Sequence, residues 1–194
     1  RDWSSDVCSS DLPLNKLFNR FGFEVFDVEE IGIHGGSIRI YISRTGEHSI
    51  SEAYYDIISR EEASSIFDIK RLKKFSKDVE LHRSKLNSLL NSLKAEGASL
   101  AGVSVPAKGM TLLNYCNIGT NILDFMTEKS RLKIGLFTPG AHIPILSDSA
   151  LIENQPDYAL LLAWNFSDEI MENLKEYREK GGKFIIPIPE PKIV

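Results

Sequence analysis

The stretch ASLAGVSVPAKGMTLLNYCNIG, residues 98–119, decides the fold of this chain. Small and β-branched residues fill Ser99–Val105, a break follows at Pro106–Gly109, and apolar residues at helical spacing begin at Thr111. A buried strand, a tight loop and a helix start in that order are typical of the first step of an α/β nucleotide-binding unit.

The start of that helix is a candidate binding site. Free N–H groups at a helix start, with Lys108 beside them, suit a phosphate group. Gly109 is expected to let a ligand approach the backbone, and Thr111 is expected to cap the helix. The pattern is neither GxGxxG nor a P-loop, so an ordinary strand-to-helix turn with a solvated lysine is an equal alternative.

The rest of residues 98–194 continues the alternation of strands and helices. Strands are predicted at Ile122–Met126, at the end of Leu136–Ile145, at Asp157–Trp164 and at Lys183–Ile188, and helices at Ser147–Asn154 and Asp168–Lys180. This alternation predicts an α/β fold with a Rossmann-like, mostly parallel, doubly wound sheet.

Polar and aromatic residues follow several of these strands. Ligands of such sheets bind beyond the carboxyl ends of the strands, so Lys108, His142, Trp164, Asn165 and Glu190 are expected to converge on one edge. A tryptophan ring can stack on a base, while an amide and a carboxylate can bond hydroxyls or a base edge. Taken singly, Trp164 reads equally well as a core residue and Glu190 as part of a tail, and their convergence is the stronger observation.

The amino-terminal part divides into three predicted segments. Residues 1–12, RDWSSDVCSSDL, lack periodicity and resemble sequencing-adaptor read-through, so the chain is expected to be a C-terminal fragment. Residues 13–49 predict a helix ending near Gly22 and then two strands, Phe23–Val28 and Ser37–Arg44, paired antiparallel. Residues 50–97 predict a helical connector, with a short helix at Ser51–Arg60 and a long one from about Phe67 to Glu96.

His34 is the candidate base in this part of the chain. It precedes two glycines, which leaves the imidazole on an open loop. A neutral imidazole with an ordinary pKa of about 6.5 removes protons at working pH. The alternative is a plain surface histidine, which sequence position alone favours.

Composition excludes several classes of protein. A net charge of −4 and a pI near 5.6 argue against non-specific nucleic-acid binding, and the basic cluster Lys70–Lys74 is interpreted as a solvated face. The sequence contains no apolar run of membrane-spanning length. Two cysteines without metal-ligand spacing indicate a reducing cytoplasm, and four scattered histidines argue against a zinc site in this chain.

Five ordered motifs carry a resemblance that covers about residues 13–194. They are HGGSIR (34–39), PAKGMTLLNY (106–115), PGAHIPI (139–145), PDYALLLAWN (156–165) and GGKFIIPIPE (181–190). Together they resemble the C-terminal half of the sugar C-methyltransferase family, whose members transfer a methyl group from S-adenosylmethionine to a carbon of a nucleotide-linked 4-keto-deoxysugar. The resemblance implies that residues 13–49 are the terminal antiparallel hairpin of a class I methyltransferase domain and that residues 98–194 are the Rossmann-like C-terminal domain.

The resemblance also implies roles for individual residues. His34 would be the base, or would hold and polarise the sugar; Ile33 stands where some relatives carry a polar residue, so Glu29 or Glu30 is considered as its partner. The substrate-binding set for the nucleotide diphosphate-sugar is Lys108, Gly109, Thr111, Asn114, His142, Trp164, Asn165 and Glu190.

The cofactor is expected outside this chain. S-adenosylmethionine would bind to an upstream domain and zinc to an N-terminal domain, so this chain alone is expected not to methylate. A scaffold domain that has lost its ligand is one alternative. A nucleotide-sugar oxidoreductase or epimerase is another, disfavoured because GxGxxG and a Tyr-x-x-x-Lys pair after a strand are absent.

Overall fold

The computed structural model describes residues 11–32, 37–65 and 68–194. The chain divides into two compact units, Arg1–Phe75 and Ser76–Val194. The predicted base, His34, lies outside the described residues, as do Ile33 and residues 1–10 of the adaptor-like segment.

Unit 1 contains a two-stranded antiparallel sheet and two short helices. Its elements are α1 (Asp11–Asn19), β1 (Phe23–Ile31), β2 (Ser37–Arg44) and α2 (Glu52–Ala63). β1 and β2 pair antiparallel with an irregularity between Val25 and Asp27, so the predicted hairpin is confirmed. Among the described residues, its core consists of Val25, Val28, Tyr54 and Ile57.

The long helix α3 (Ile69–Ala95) crosses the boundary between the units. Asp68 caps it, because its Oδ1 accepts a hydrogen bond from Lys70 N at 2.8 Å. Gly97, at φ +87°, follows its last turn, as predicted. Its carboxyl-terminal half buries Leu86, Leu90 and Leu93 against the sheet of unit 2.

Unit 2 is built on a six-stranded sheet. Its strands are β3 (Leu100–Val103), β4 (Phe125–Glu128), β5 (Ile145–Ser147), β6 (Tyr158–Leu161), β7 (Lys183–Ile186) and β8 (Lys192–Ile193). They lie in the order β5-β4-β3-β6-β7-β8. All neighbours are parallel except β7 and β8, which confirms the mostly parallel sheet. The strand order reverses between β3 and β6, and such switch points are where α/β sheets bind ligands.

Helices cover both faces of this sheet. α4 (Ala107–Cys116) and α3 share one apolar cluster, which includes Leu90, Leu100 and Leu113. α5 (Ser149–Asn154), α6 (Ser167–Asn173) and α7 (Lys175–Glu179) share the other, which includes Ala101, Leu151 and Tyr177. Leu100 and Ala101 belong to different clusters because successive side chains of a strand point to opposite faces.

Several predicted boundaries were wrong. The helix after β3 begins at Ala107 rather than near Thr111, because Pro106, at φ −79° and ψ 156°, already serves as its N-cap. Ile122 and Leu123 belong to a turn closed by their N–H bonds to Gly119 O, so the strand predicted at Ile122–Met126 starts at Phe125.

Three further differences lie near the carboxyl end of the chain. The helix predicted at Asp168–Lys180 is two helices, separated at Leu174, whose φ of −107° is not helical. The strand predicted at Asp157–Trp164 is shorter, and Trp164 opens a 3₁₀ turn, Trp164–Phe166. The sequence analysis did not predict β8, because the prolines before it were interpreted as part of a carboxyl-terminal tail.

Candidate functional site

Lys108 and Trp164 lie together at the carboxyl edge of the sheet. Lys108 is in the first turn of α4, and its Nζ lies 5.0 Å from the centroid of the Trp164 ring, within cation–π range. Trp164 lies three residues after the end of β6 and is partly buried against the cluster under α5–α7. Asn165, the next residue, is exposed and has an interaction of its own. The edge therefore offers a cation, an aromatic ring and an amide at one place.

The amino end of α4 borders this pair. The first hydrogen bond of the helix runs from Met110 N to Pro106 O. The N–H groups of the three residues before Met110 therefore have no carbonyl partner within the helix. Thr111 is not the cap, because its Oγ1 donates to Ala107 O at 3.2 Å inside the helix. The partial positive charge at the start of a helix favours binding of an anion here.

The side of Gly109 where a Cβ would stand is filled by protein atoms, so the glycine is not there to open space for a ligand. It is buried, and a Cβ added to it would lie 2.7 Å from the Cβ of Leu162 and 3.2 Å from Cγ of Pro106. The missing side chain therefore lets α4 pack closely on the chain that leaves β6.

Asn114 and His142 form a separate group near the carboxyl-terminal half of α4. Asn114 Nδ2 donates to Met110 O at 2.8 Å and to Pro139 O at 3.2 Å. A Cβ on Gly140 would collide with the Asn114 amide, and His142, exposed at φ +51°, closes the same turn through its N–H to Thr138 O. Asn114 is six residues from Lys108, about 9 Å along a helix, so it anchors this turn instead of meeting Lys108.

Glu190 is held by α3. Its Oε1 lies 2.8 Å from Lys85 Nζ, and the hydrogen bond and charge of Lys85 lower the pKa of the Glu190 carboxyl. Nearby, His82 Nε2 lies 2.7 Å from Pro187 O. Within the described part of the chain, no contact joins Glu190 to Lys108 or Trp164. The predicted substrate set is thus divided among three places on unit 2.

The two glutamates considered as partners of His34 are both ion-paired. Glu29 Oε2 accepts hydrogen bonds from Arg39 Nη1 at 2.8 Å and from Tyr41 Oη at 3.1 Å. Glu30 Oε2 lies 3.1 Å from Arg60 Nη2. All these groups are exposed, so the pairs are weak; either carboxylate can exchange its partner at small cost.

A cavity of about 200 Å³ lies at the switch point and was missed by the sequence reasoning. We call it the switch-point cavity. Polar residues at the ends of β3, β4 and β5 and on α6 form its polar wall, and apolar residues from the end of β3, the chain around the 3₁₀ turn, α6 and Leu174 form its apolar wall. The polar wall is formed by Ser104, Glu128, Lys129, Asp148, Glu169 and Asn173, and the apolar wall by Val103, Ala163, Phe166, Ile170 and Leu174.

Glu128 ties the loops around this cavity together. Its Oε2 accepts from Val105 N at 3.1 Å and from Lys133 Nζ at 3.1 Å, while its Oε1 accepts from Lys129 N at 2.9 Å and Ser130 N at 3.2 Å. Burial acts to raise the pKa of Glu128, but these hydrogen bonds and the Lys133 charge outweigh burial and lower it. Both carboxylate oxygens are therefore already used by the protein.

Asp148 also lines the cavity, but the groups around its carboxyl differ from those around the Glu128 carboxyl. It precedes α5 without a side-chain capping bond to that helix. Burial raises the pKa of its carboxyl, with Glu128 adding to the shift and Lys129 and the neighbouring Thr127 hydroxyl opposing it. Thr127 is fully buried, and its hydroxyl lies close enough to the Asp148 carboxyl to act on its pKa, although among the described residues no partner meets the full geometry of a hydrogen bond.

Comparisons with known proteins place the chain in a family. Residues 32–189 match the family model described as C-methyltransferase C-terminal domain. The chain belongs to this C-methyltransferase family. The resemblance seen in the five motifs is thereby confirmed at the level of the family.

The chain is also similar to a curated member of known name. It is 36% identical over 179 residues to C-methyltransferase NovU of Streptomyces niveus, and the matched region covers 92% of this chain. It spans only 43% of the length of NovU. This C-methyltransferase domain therefore corresponds to less than half of that relative.

The carboxyl edge of this C-methyltransferase domain does not fit the adenosyl cofactor that the family implies. In nucleotide-binding α/β folds a glycine after the first strand admits the ligand, and an acid about twenty residues on binds a ribose hydroxyl. Here the space beside Gly109 is filled by Leu162, and both carboxylate oxygens of Glu128 already accept hydrogen bonds from the protein.

Among the described residues, no group of three or more histidine, cysteine or acidic side chains is arranged to hold a metal ion. Among the same residues, no helix is both long enough and apolar enough to span a bilayer.

The missed residues carried a signal that the sequence contained. Glu128 and Asp148 each stand at or just after the carboxyl end of a strand, the same rule that selected Lys108 and Trp164. The signal was lost because the predicted strand ended at Met126, two residues before Glu128, and because Asp148 was placed inside the helix predicted at Ser147–Asn154.

Proposed function

We propose that this chain is the C-terminal part of an S-adenosylmethionine-dependent C-methyltransferase and that it holds a nucleotide-linked 4-keto-deoxysugar. Family membership supports methyl transfer to carbon. The nucleotide-sugar substrate is inferred from the motifs and from the carboxyl edge of the sheet. A cytoplasmic location is part of the same proposal.

The observation that carries the proposal is the position of Lys108 over Trp164 at the amino end of α4. A diphosphate accepts hydrogen bonds from the helix N–H groups and pairs with the ammonium group. The Trp164 ring offers a face to the adjoining ring of the ligand, and Asn165 offers donors and an acceptor. One ligand class that needs all of these at once is a nucleoside diphosphate attached to a sugar.

His34 is proposed as the base. Its imidazole would take the proton from the carbon beside the ketone, while the electron pair of the broken C–H bond moves to the carbonyl oxygen as an enolate. S-adenosylmethionine would supply the methyl group from a binding site outside the described residues. This chain alone is accordingly proposed to bind the nucleotide-sugar without methylating it.

Binding measured by calorimetry tests this function. We expect the 194-residue chain to bind a nucleoside diphosphate-sugar, and Lys108→Ala to weaken binding about tenfold or more, because it removes a charged partner of the phosphates. Lys183→Ala is the matched control, since Lys183 Nζ lies 5.6 Å from the Tyr158 ring at the opposite, amino edge of the sheet. No heat with any nucleoside diphosphate-sugar would refute substrate binding, and equal affinity in Lys108→Ala would favour a scaffold domain.

A further inference from the structure

The switch-point cavity adjoins the Lys108–Trp164 pair. Ala163 lines the cavity, and the next residue, Trp164, carries the Lys108 ammonium group over its ring. A ligand whose diphosphate sits at the amino end of α4 therefore has a partly open cavity within reach, beside the 3₁₀ turn that begins at Trp164.

The charges of the cavity wall select what can enter it. Three carboxylates, Glu128, Asp148 and Glu169, face one ammonium group, Lys129. Phosphate is therefore repelled from the cavity and attracted to Lys108. An uncharged group that donates hydrogen bonds is attracted, because carboxylates only accept.

The apolar wall narrows the class of ligand that fits the cavity further. Phe166, Ile170 and Leu174 supply apolar surface to the same cavity, a combination that suits a flat ring with polar edges. Because Glu128 is saturated by protein donors, Asp148 is the acceptor that the strand ends offer to a ligand. Behind it, the buried Thr127 hydroxyl already interacts with the same carboxyl.

We propose that the switch-point cavity binds the uncharged nucleoside portion of the nucleotide-sugar, with Asp148 accepting a hydrogen bond from its base or its ribose. This inference rests on the proposed function, because it assigns one half of the same ligand. The diphosphate lies on the Lys108 side of Trp164 and the nucleoside on the Asp148 side.

Two probes separate the two halves of the ligand. Inorganic pyrophosphate reports the Lys108 side alone, and a panel of nucleoside diphosphates with purine and pyrimidine bases reports both sides. The informative quantity is the ratio of the pyrophosphate Kd to the nucleoside diphosphate Kd, measured by calorimetry on the 194-residue chain. In the unchanged chain we expect this ratio to exceed ten for at least one base.

Asp148→Ala should lower that ratio about tenfold and leave the pyrophosphate Kd within twofold of its original value. Lys108→Ala should do the opposite, weakening pyrophosphate and preserving the ratio. Asp148→Asn keeps the size of the side chain and serves as a second variant; it should give an intermediate ratio. Glu172→Ala, an exposed carboxylate of α6 outside the cavity wall, is the matched control and should change neither quantity.

The possible results are distinguishable. A ratio near one in the unchanged chain, or a ratio that Asp148→Ala and Asp148→Asn leave intact, overturns the nucleoside site while phosphate binding at Lys108 stands. Absence of binding for both probes overturns the substrate assignment and this inference together.

Discussion

Glu128 is the side chain that holds the carboxyl edge in one arrangement. Its four hydrogen bonds reach the loop after β3, the turn after β4 and Lys133, which itself donates to Val105 O at 2.9 Å. Its side chain is 12% exposed, so water screens these bonds little. The same loop leads into α4, and Glu128 thus acts on Lys108 through the backbone.

We expect Glu128→Gln to destabilise the chain by about 1–3 kcal/mol at pH 7, because an amide cannot accept all four bonds and leaves buried donors unpaired. The folded-state pKa of Glu128 is lowered below the ordinary 4.5, so its contribution is complete above that pH and is lost as the pH falls through the lower folded value. Urea unfolding at pH 7 and near pH 3 measures both effects.

Glu179→Gln, at an exposed position of α7, is the control for that substitution. An unchanged urea midpoint in Glu128→Gln at pH 7 would show that the carboxylate does not hold the loops. A loss of equal size at both pH values would show that its charge is irrelevant.

At the scale of single elements, α4 depends on one close contact with the chain leaving β6. We expect Gly109→Ala to destabilise by about 1–3 kcal/mol, because the new Cβ would lie 2.7 Å from Leu162 Cβ, well inside contact distance. Alanine also gains about 1 kcal/mol of helix propensity over glycine, so the two effects oppose each other and the overlap should dominate. Thermal unfolding of this variant measures the sum.

Gly32→Ala is the matched control, because a Cβ there meets no described atom within 4 Å and its φ is ordinary. Stabilisation of Gly109→Ala would mean that α4 can move away from Leu162 without cost.

The elements differ in how far the sequence predicts them. The continuous apolar run around Leu160 and the alternation from Ser37 to Arg44 are both typical strand patterns, and both became strands as expected. Thr111 was assigned as a cap because the apolar pattern starts there, although the fixed φ of Pro106 already begins the helix one turn earlier. Ile122 and Leu123 satisfied the strand pattern while serving as buried turn residues.

The residues of the candidate site could be predicted from the sequence only in part. Lys108 lies in the connection that follows β3 and Trp164 in the one that follows β6, and parallel pairing of these two strands brings them together. The switch-point cavity depends on where β4 and β5 end and on how α6 crosses their ends. Those positions are set by tertiary packing, which local sequence patterns do not contain.

At the scale of the whole molecule, the two units differ in the amount of core they bury. Among the described residues, unit 1 buries four hydrophobic side chains, and the remaining buried hydrophobic set belongs to unit 2. A small core offsets less of the conformational entropy lost on folding. Unit 1 should therefore open at a lower free energy than unit 2.

Hydrogen exchange followed by mass spectrometry tests this difference. Amides of β1 and β2 should exchange through openings of lower free energy than those of β3 and β6, with about 1 kcal/mol as the smallest difference that separates two cooperative units. Identical opening free energies in both sheets would mean that the chain unfolds as a single unit.

The last residue of the sequence is part of the sheet. Phe184 and Val194 exchange two backbone hydrogen bonds, of 3.0 and 2.9 Å, so β8 covers the outer side of β7. Trimming of the chain by a carboxypeptidase would uncover a row of unpaired donors and acceptors on β7, the kind of edge that recruits strands from other molecules into aggregates.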